Sequence, residues 1–321
     1  MYRLGIDLGG TNIAAAVVDE NYKIIGRGKV KTALPRPVDE ICDAMAEAAK
    51  MAVQASGLEM TDISAMGIGT PGAVNPTKGI VTYSCNLGFD NTPLCEMMKQ
   101  RLGVDFYLEN DANAAAYGEF LAGAGKGTKD FIAITLGTGV GGGIIIDGKL
   151  FSGSNFAGGE LGHIVINVDG EPCGCGRKGC WESYASATAL IRQTKAKMEQ
   201  DKDSVMWELA EGDISKVSGR TAWDAWRKGD KSGTEVVEAY CKYVAEGAVN
   251  ILNIFQPEKM CIGGGISNEK DNLIVPVNKL ASERIYTRNT DKSDKICVAT
   301  LGNDAGIIGA AFLDTLYNGC N

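Results

Sequence analysis

The chain is 321 residues long, 45% hydrophobic and 22% charged, with a formal net charge of −8. That length accommodates two domains of ordinary size, and the acidic balance excludes a nucleic-acid or anionic-membrane partner recruited by bulk charge. No stretch reaches about 18 uninterrupted apolar residues, so no spanning helix is expected, and any anionic ligand must be held by backbone amides and helix ends.

The N-terminal stretch Met1-Tyr-Arg-Leu-Gly-Ile-Asp7 opens directly on a strand and lacks the pattern of a signal peptide. The strand ends in the glycine turn Asp7-Leu-Gly-Gly-Thr11; apolar runs over 13–18 and 22–30 supply a return strand and a third. Residues 37–56 have helical spacing, with Ile41, Met45, Ala48 and Ala52 on one side. A buried strand over 63–69 closes in Thr70-Pro71-Gly72, and a helix over 92–102 leads to a strand over 105–108. The pattern is α/β from the first hundred residues.

It then restarts. An apolar strand over 131–136 enters Gly137-Thr138-Gly139-Val-Gly-Gly-Gly143, followed by Ile144-Ile-Ile146 and the turn Asp147-Gly148. Strand, glycine turn, apolar strand and turn therefore occur twice, about 130 residues apart, a spacing too long for a solenoid. The expectation is an internal duplication: two related α/β halves facing a common cleft, with the boundary inside a helix near 114–125. Further on, helices are expected over 183–200 and 234–255, the latter stopped by Gln256-Pro257, with a polar, weakly patterned segment over 201–231 between them. A short strand over 260–262 runs into Gly263-Gly264-Gly265, the last strand covers 295–301, and an Ala/Gly-rich helix over 305–317 packs back on the first half.

The densest chemistry lies between Glu160 and Glu182. It holds the single histidine, His163, together with Cys173, Cys175 and Cys180. Three thiolates and an imidazole make a closed tetrahedral set for zinc, with no position left for water, so the metal would be structural; a disulfide or unrelated buried thiols are the alternatives. The other seven cysteines, at 42, 85, 95, 241, 261, 297 and 320, are scattered, a usage that suits a reducing cytoplasm. Three glycine turns follow apolar strands: Gly9-Gly10-Thr11 behind Asp7, Gly137-Thr138-Gly139, and Gly263-Gly264-Gly265. Glycines let backbone N–H groups approach phosphate oxygens, and Thr11 and Thr138 add hydroxyl donors; a tight hairpin is the plain alternative for any one turn. Gly137-x-Gly139-x-x-Gly142 fits a dinucleotide fingerprint, but β-type residues follow where that motif needs a helix. Gly125-Lys126 is no P-loop, since residue 127 is Gly rather than Ser or Thr. Asp7 suits Mg²⁺ beside a phosphate chain, or simply the amides of its own turn. In Leu108-Glu-Asn-Asp-Ala-Asn113, Asn110 and Asp111 are either N-caps or a site at a strand's carboxyl end, where Asp111 accepts a proton from an attacking hydroxyl.

In these five features, Asp7 to Thr11, Leu108 to Asn113, Leu136 to Gly143, the loop from Glu160 to Glu182, and Gly263 to Gly265, the chain resembles the ROK family of sugar kinases, within the hexokinase–actin superfamily, over essentially its whole length. The resemblance implies a two-domain actin/hexokinase-like (ribonuclease H-like) α/β fold, with a duplicated βββαβαβα core and an inter-domain cleft. Residues 1–114 plus 304–321 would form the small domain, and 115–303 the large domain with the zinc loop. It also implies ATP-dependent transfer of the γ-phosphoryl group to a sugar 6-hydroxyl. Asp111 would be the catalytic base, and Asn110, Glu160, His163, Glu182 and Gly72 would meet the sugar. Asp7, Gly9, Gly10, Thr11, Asn12 and the two later glycine turns would hold ATP and Mg²⁺. Within the family, Gly69-Thr-Pro-Gly72, Asn86-Leu87 and the Asn110 region are most similar to glucokinases. Glucose is therefore the first expectation and fructose or N-acetylmannosamine the rivals. Family habit, with Trp223, Trp226, Tyr240 and Tyr243 as candidate contacts, gives a homodimer; no nucleic acid or membrane is expected as a partner. A sugar-responsive repressor would need a helix-turn-helix ahead of the first strand, which here begins at residue 2, and a non-catalytic sugar binder would not need the phosphate turns.

Overall fold

The computed structural model describes residues 1–287 and 295–317; Cys320 and the last part of the expected small domain, 318–321, lie outside the described residues. Two compact units are present. The first comprises 1–133, 142–159 and the chain from 299; the second comprises 134–141 and 160–298.

In the first unit, β1 (Tyr2–Leu8), β2 (Asn12–Val18) and β3 (Ile24–Lys31) form an antiparallel meander, followed by α1 (Val38–Ser56). Acidic Asp39 and Glu40 sit in the first turn of α1, where the helix dipole favours them. The helix ends at Gly57, in the left-handed region at φ 74°. Ile41, Met45, Ala48 and Ala52 are all fully buried, so the 3.6-residue stripe marks the core face as its spacing predicts.

β4 (Ile63–Thr70) follows, then a small antiparallel sheet of β5 (Ala73–Asn75), β6 (Ile80–Ser84) and β7 (Phe89–Thr92), then α2 (Leu94–Leu102), β8 (Phe106–Asn110) and α3 (Asp111–Ala122). The three short strands were not expected: each has only three to five residues, too few to show alternation. The main sheet has the order β3-β2-β1-β4-β8, with β4 parallel to both β1 and β8. It therefore points the carboxyl ends of β1, β4 and β8 the same way, bringing Asp7, Thr70 and Asn110 to one edge.

The repeat supplies β9 (Phe131–Leu136), β10 (Val140–Ile146) and β11 (Lys149–Leu150). The second unit holds α4 (Glu182–Ala185), α5 (Ala187–Gln200), α6 (Val205–Leu209), α7 (Thr221–Arg227), α8 (Lys231–Phe255), β12 (Lys259–Gly263), α9 (Asp271–Arg284) and β13 (Ile296–Val298). The second sheet reads β11-β10-β9-β12-β13. Its strands stand in the same order, third, second, first, fourth, fifth, as those of the first sheet, so the duplication seen in the sequence is a duplication of topology.

Three expectations change here. The helix over 183–200 breaks at Ser186, which is extended (φ −72°, ψ 161°) and caps α5 by accepting the Ala189 amide. The polar, weakly patterned 201–231 segment, for which no element was expected, holds α6 and α7; Asp230 accepts from Ser204 Oγ, the Val205 amide and the Gly233 amide, and Trp223 is buried. That Trp223 meets Trp226 and Tyr240 edge-on at 5.9 and 6.5 Å. Trp223 and Tyr240 are fully buried and serve the core, so they are withdrawn as dimer contacts.

The chain closes with α10 (Ala305–Ala311) and a single 3₁₀ turn, Leu313–Thr315, a shorter helix than 305–317. α10 lies within the first unit, directly on its sheet: a Cβ on Gly5 would fall 2.0 Å from the Ile307 carbonyl oxygen, and one on Gly67 1.9 Å from that of Ala310. Only glycine permits this approach. No helix among the described residues is long and apolar enough to cross a membrane.

Candidate active site

The first unit carries one set of candidate side chains. β1 ends at Leu8 and the Gly9 amide donates to the Asn12 carbonyl at 3.0 Å, closing the turn; Thr32 Oγ1 ties the Gly9 carbonyl at 2.6 Å. Gly10 and Thr11 are exposed, and nothing lies within 4 Å of a Cβ built on Gly10, so the turn is open to a ligand. Asp7, Gly9, Gly10, Thr11 and Asn12 line a cavity of about 490 Å³. The same cavity is lined by Arg27 and Lys29, two cations that sequence reasoning missed. Their signal was the period-2 alternation of β3, which buries Gly26 and Gly28 and turns Arg27 and Lys29 outward. Arg27 is held by a two-pronged ion pair with Asp304, at 2.7 and 2.8 Å.

Two carboxylates stand at this edge. Burial pushes Asp7 up to about 6, and the negative charge of Asp111 adds to the rise. Asp111 is itself raised by burial, against hydrogen bonds from the Ala112 amide and with the Asn110 side chain that favour its ionised form. Carboxylates that penalise each other's charge create a demand for a cation, which suits Mg²⁺ at Asp7, and a raised carboxylate suits a proton acceptor.

Asn110 is both cap and strut. Its Oδ1 accepts from the Ala112 and Asn113 amides at 2.9 and 3.3 Å, and its Nδ2 donates to the Gly72 carbonyl at 3.1 Å. The N-cap alternative is thus present in fact, alongside a link to Gly72, whose φ of 110° and close approach to the Tyr83 carbonyl (2.3 Å from a Cβ) admit only glycine. Behind Asn110 sits Glu109, 1% exposed. Its Oε1 accepts from the Asn110 amide at 2.8 Å and from Asn113 Nδ2 at 2.9 Å, and its Oε2 accepts from the Tyr317 hydroxyl. Sequence reasoning missed this group; an acid closing an apolar strand was the available sign, since a buried carboxylate needs partners.

The second unit carries the other set. His163 Nδ1 lies 3.6 Å from Cys173 Sγ, Cys175 Sγ lies 3.6 Å from Cys180 Sγ, and the four ligand atoms all fall within 4.8 Å of one another. Tetrahedral zinc with Zn–S of about 2.3 Å sets sulfurs about 3.8 Å apart, so the cluster is shaped for a metal ion. Among the described residues, Cys173, Cys175 and Cys180 form no disulfide, against the disulfide alternative. Nδ1 faces the cluster, so Nε2 remains for a second partner.

Glu160 is exposed, one residue before the 3₁₀ turn Leu161–His163, and Glu182 opens α4. Glu182 Oε2 accepts the Val140 amide at 2.9 Å, while its Oε1 lies 3.8 Å from Cys173 Sγ. Just after it, the Ala187 amide donates to the Gly137 carbonyl and Thr188 Oγ1 to the Thr138 carbonyl, both at 2.8 Å. The segment leaving the metal loop therefore grips the turn Gly137-Thr138-Gly139 along its length. Gly264, at φ 82°, presses on Leu136, with a Cβ position 2.5 Å from its carbonyl oxygen. That contact sets Gly263-Gly264-Gly265 beside the same turn. Within the first unit, then, the structure brings Asp7, Gly9 to Asn12, Gly72, Asn110 and Asp111 to one sheet edge. Within the second it brings together His163, Cys173, Cys175, Cys180 and Glu182, with Glu160 at the head of the His163 turn and Gly137 to Gly139 beside Gly263 to Gly265.

A duplicated α/β sheet with open glycine turns and paired carboxylates at strand ends defines a phosphotransfer enzyme of the actin/hexokinase type. The model of the ROK family matches residues 3–315, and the chain belongs to that family. It is 38% identical to a glucokinase of Streptomyces coelicolor, over 97% of this chain and 96% of that protein. It is 35% identical to a glucokinase of Halalkalibacterium halodurans, over 97% and 94%. A crystal structure of a ROK family glucokinase from Streptomyces griseus in complex with glucose and AMPPNP is similar with a TM-score of 0.81 at 36% identity, covering 98% of this chain and 99% of that one.

Proposed function

We propose that this chain is a glucokinase, transferring the γ-phosphoryl group of ATP to the 6-hydroxyl of glucose. The observation that carries the reading is the pairing of Asp7 and Asp111 beside an open phosphate turn, in a chain similar to glucokinases over 97% of its length. Asp111 accepts the proton of the 6-hydroxyl as that oxygen forms its bond to the γ-phosphorus, the bond to the β-phosphate oxygen breaks, and ADP leaves. Asp7 would hold Mg²⁺, directly or through water, and the ion would supply neutralisation of charge on the phosphate chain. Gly9 to Asn12, Gly137 to Gly139 and Gly263 to Gly265 offer amides, and Thr11 and Thr138 hydroxyls, to the phosphates.

The sugar is recognised by acceptors: Asp111, Glu160 and Glu182 take hydroxyl donors, with Asn110, Gly72 and His163 Nε2 completing the set. His163, Cys173, Cys175 and Cys180 would hold a structural zinc, whose role would be to fix the orientation of the His163 imidazole. The rigid bodies proposed for closure over substrate are 1–114 with 304–321, and 115–303. The working form proposed is a cytoplasmic homodimer.

A coupled ADP-release assay over a sugar panel at fixed Mg-ATP tests the substrate. Glucose gives the highest kcat/KM. Fructose, mannose or N-acetylmannosamine exceeding it about tenfold, a discrimination of about 1.4 kcal/mol, overturns glucose while leaving a sugar kinase.

A further inference from the structure

We infer that Tyr317 and Glu109 are positioning residues for the reaction, setting the Asn110-Asp111 turn from behind through the C-terminal segment. The inference rests on the reading of Asp111 as the base. Tyr317 is 208 residues from Glu109 in sequence, yet its hydroxyl donates to Glu109 Oε2. It is brought there by the 3₁₀ turn Leu313–Thr315, which is anchored by buried Leu313 and by the contact of Thr315 Oγ1 with the Tyr117 hydroxyl at 2.6 Å.

Glu109 has no cationic partner among the described residues, and it is 1% exposed. A carboxylate in that setting is kept in place only by the hydrogen bonds it accepts. There are three: the Tyr317 hydroxyl on one oxygen, and the Asn110 amide and Asn113 Nδ2 on the other. The Asn110 amide belongs to the residue immediately before Asp111, and the Asn110 side chain is the one that caps α3 and braces Gly72. Taking away the Tyr317 hydroxyl leaves Glu109 Oε2 buried without a donor. The carboxylate then shifts towards whatever will solvate it, and the amide bonded to its other oxygen follows. Neither residue touches substrate; the effect reaches Asp111 through the backbone of Asn110. Displacing a catalytic group by about 1 Å costs up to about 10²-fold in rate while leaving ligand contacts made elsewhere intact.

The test is steady-state kinetics on Tyr317→Phe, Glu109→Asp and Glu109→Gln in the full chain, with thermal melts alongside. Tyr317→Phe is expected to lower kcat about tenfold or more, with KM for ATP within about twofold and any rise in sugar KM smaller than the loss in kcat. Glu109→Asp, which withdraws the carboxylate by one methylene, gives the same pattern. Glu109→Gln, whose amide oxygen still accepts from Asn110 and Asn113, loses less than Glu109→Asp. A Tyr317→Phe enzyme with normal kcat and only a lowered melting temperature overturns the inference, as does a loss carried by KM. If Tyr317→Phe does not fold, Glu109→Asp decides by the same criteria. Asp111→Asn run beside them separates the two failures: near-normal turnover there removes the base itself, whereas its collapse beside an unaffected Tyr317→Phe removes only the positioning pair.

Discussion

Replacing Asp7 by Asn should make the ligand-free protein more stable at neutral pH while disabling it as an enzyme. Asp7 has its acidity displaced from 3.8 to about 6, by burial first and by Asp111 second. A carboxyl raised in the folded state binds its proton more tightly there than in the unfolded chain. Its contribution is therefore favourable at low pH and is lost as pH rises from about 4 through 6. At about 1.4 kcal/mol per pH unit the interval caps the penalty at about 3 kcal/mol above pH 7. Asn, of equal size and without charge, escapes it. Allowing for residual solvation of a half-buried side chain, the expected gain is about 1–3 kcal/mol at pH 7.5, or about 2–6 °C in melting temperature for a chain of this size. It should shrink to about a third of that by pH 4.5. Melts monitored by circular dichroism across this range, without nucleotide or added Mg²⁺, measure it. Adding Mg²⁺ with a non-hydrolysable ATP analogue should reverse the order, because only the carboxylate gains a cation. An Asp7→Asn protein no more stable than its parent at pH 7.5, or one whose gain does not change with pH, would refute the reasoning.

Asp111→Asn should keep sugar affinity within several-fold while kcat falls by about 10² or more, since the amide still bonds a hydroxyl but cannot take its proton; retained turnover would end its role as base. Metal analysis of protein purified without chelator should give one zinc per chain, and Cys175→Ser should lower both zinc content and sugar affinity, as structural zinc contributes about 10–16 kcal/mol of apparent binding energy in small domains. Gly264→Ala should weaken nucleotide binding, because a methyl at φ 82° meets the Leu136 backbone; an unchanged ATP KM would contradict that. Light scattering should give the mass of a dimer, and a monomer at working concentration removes the homodimer.

How much of this was visible in the residues depends on how far each signal reached along the chain. The glycine turns, the buried stripe of α1 and the Cys₃His set are local patterns, and all appear in the structure where the spacing puts them. β5 to β7 escaped notice because strands of three to five residues with polar tips have no period to read. α9 was hidden by Pro276 within it, ordinarily evidence against a helix. The 201–231 segment is organised by one acid, Asp230, serving three partners, and no apolar periodicity along the chain reports such a hub. Glu109 and Tyr317 are farther apart still. Their pairing exists only because α10 crosses the sheet over Gly5 and Gly67, and no sequence window contains both ends.

Glu182 gives the second unit a constraint that matters to anyone altering its donor preference. A methyl added at Gly139 would lie 2.3 Å from Glu182 Oε2, the oxygen that holds the Val140 amide. The other oxygen of that carboxylate reaches Cys173. Enlarging the turn proposed to hold nucleotide therefore pushes first on a side chain proposed to meet the sugar, and through it on a thiol of the candidate metal cluster. On the proposed roles of these residues, donor and acceptor selectivity should not be separately adjustable at Gly139. Variants selected there for a new phosphate donor should carry an altered sugar profile and metal content as side effects, and compensating changes should be sought at Glu182 before the rest of the turn.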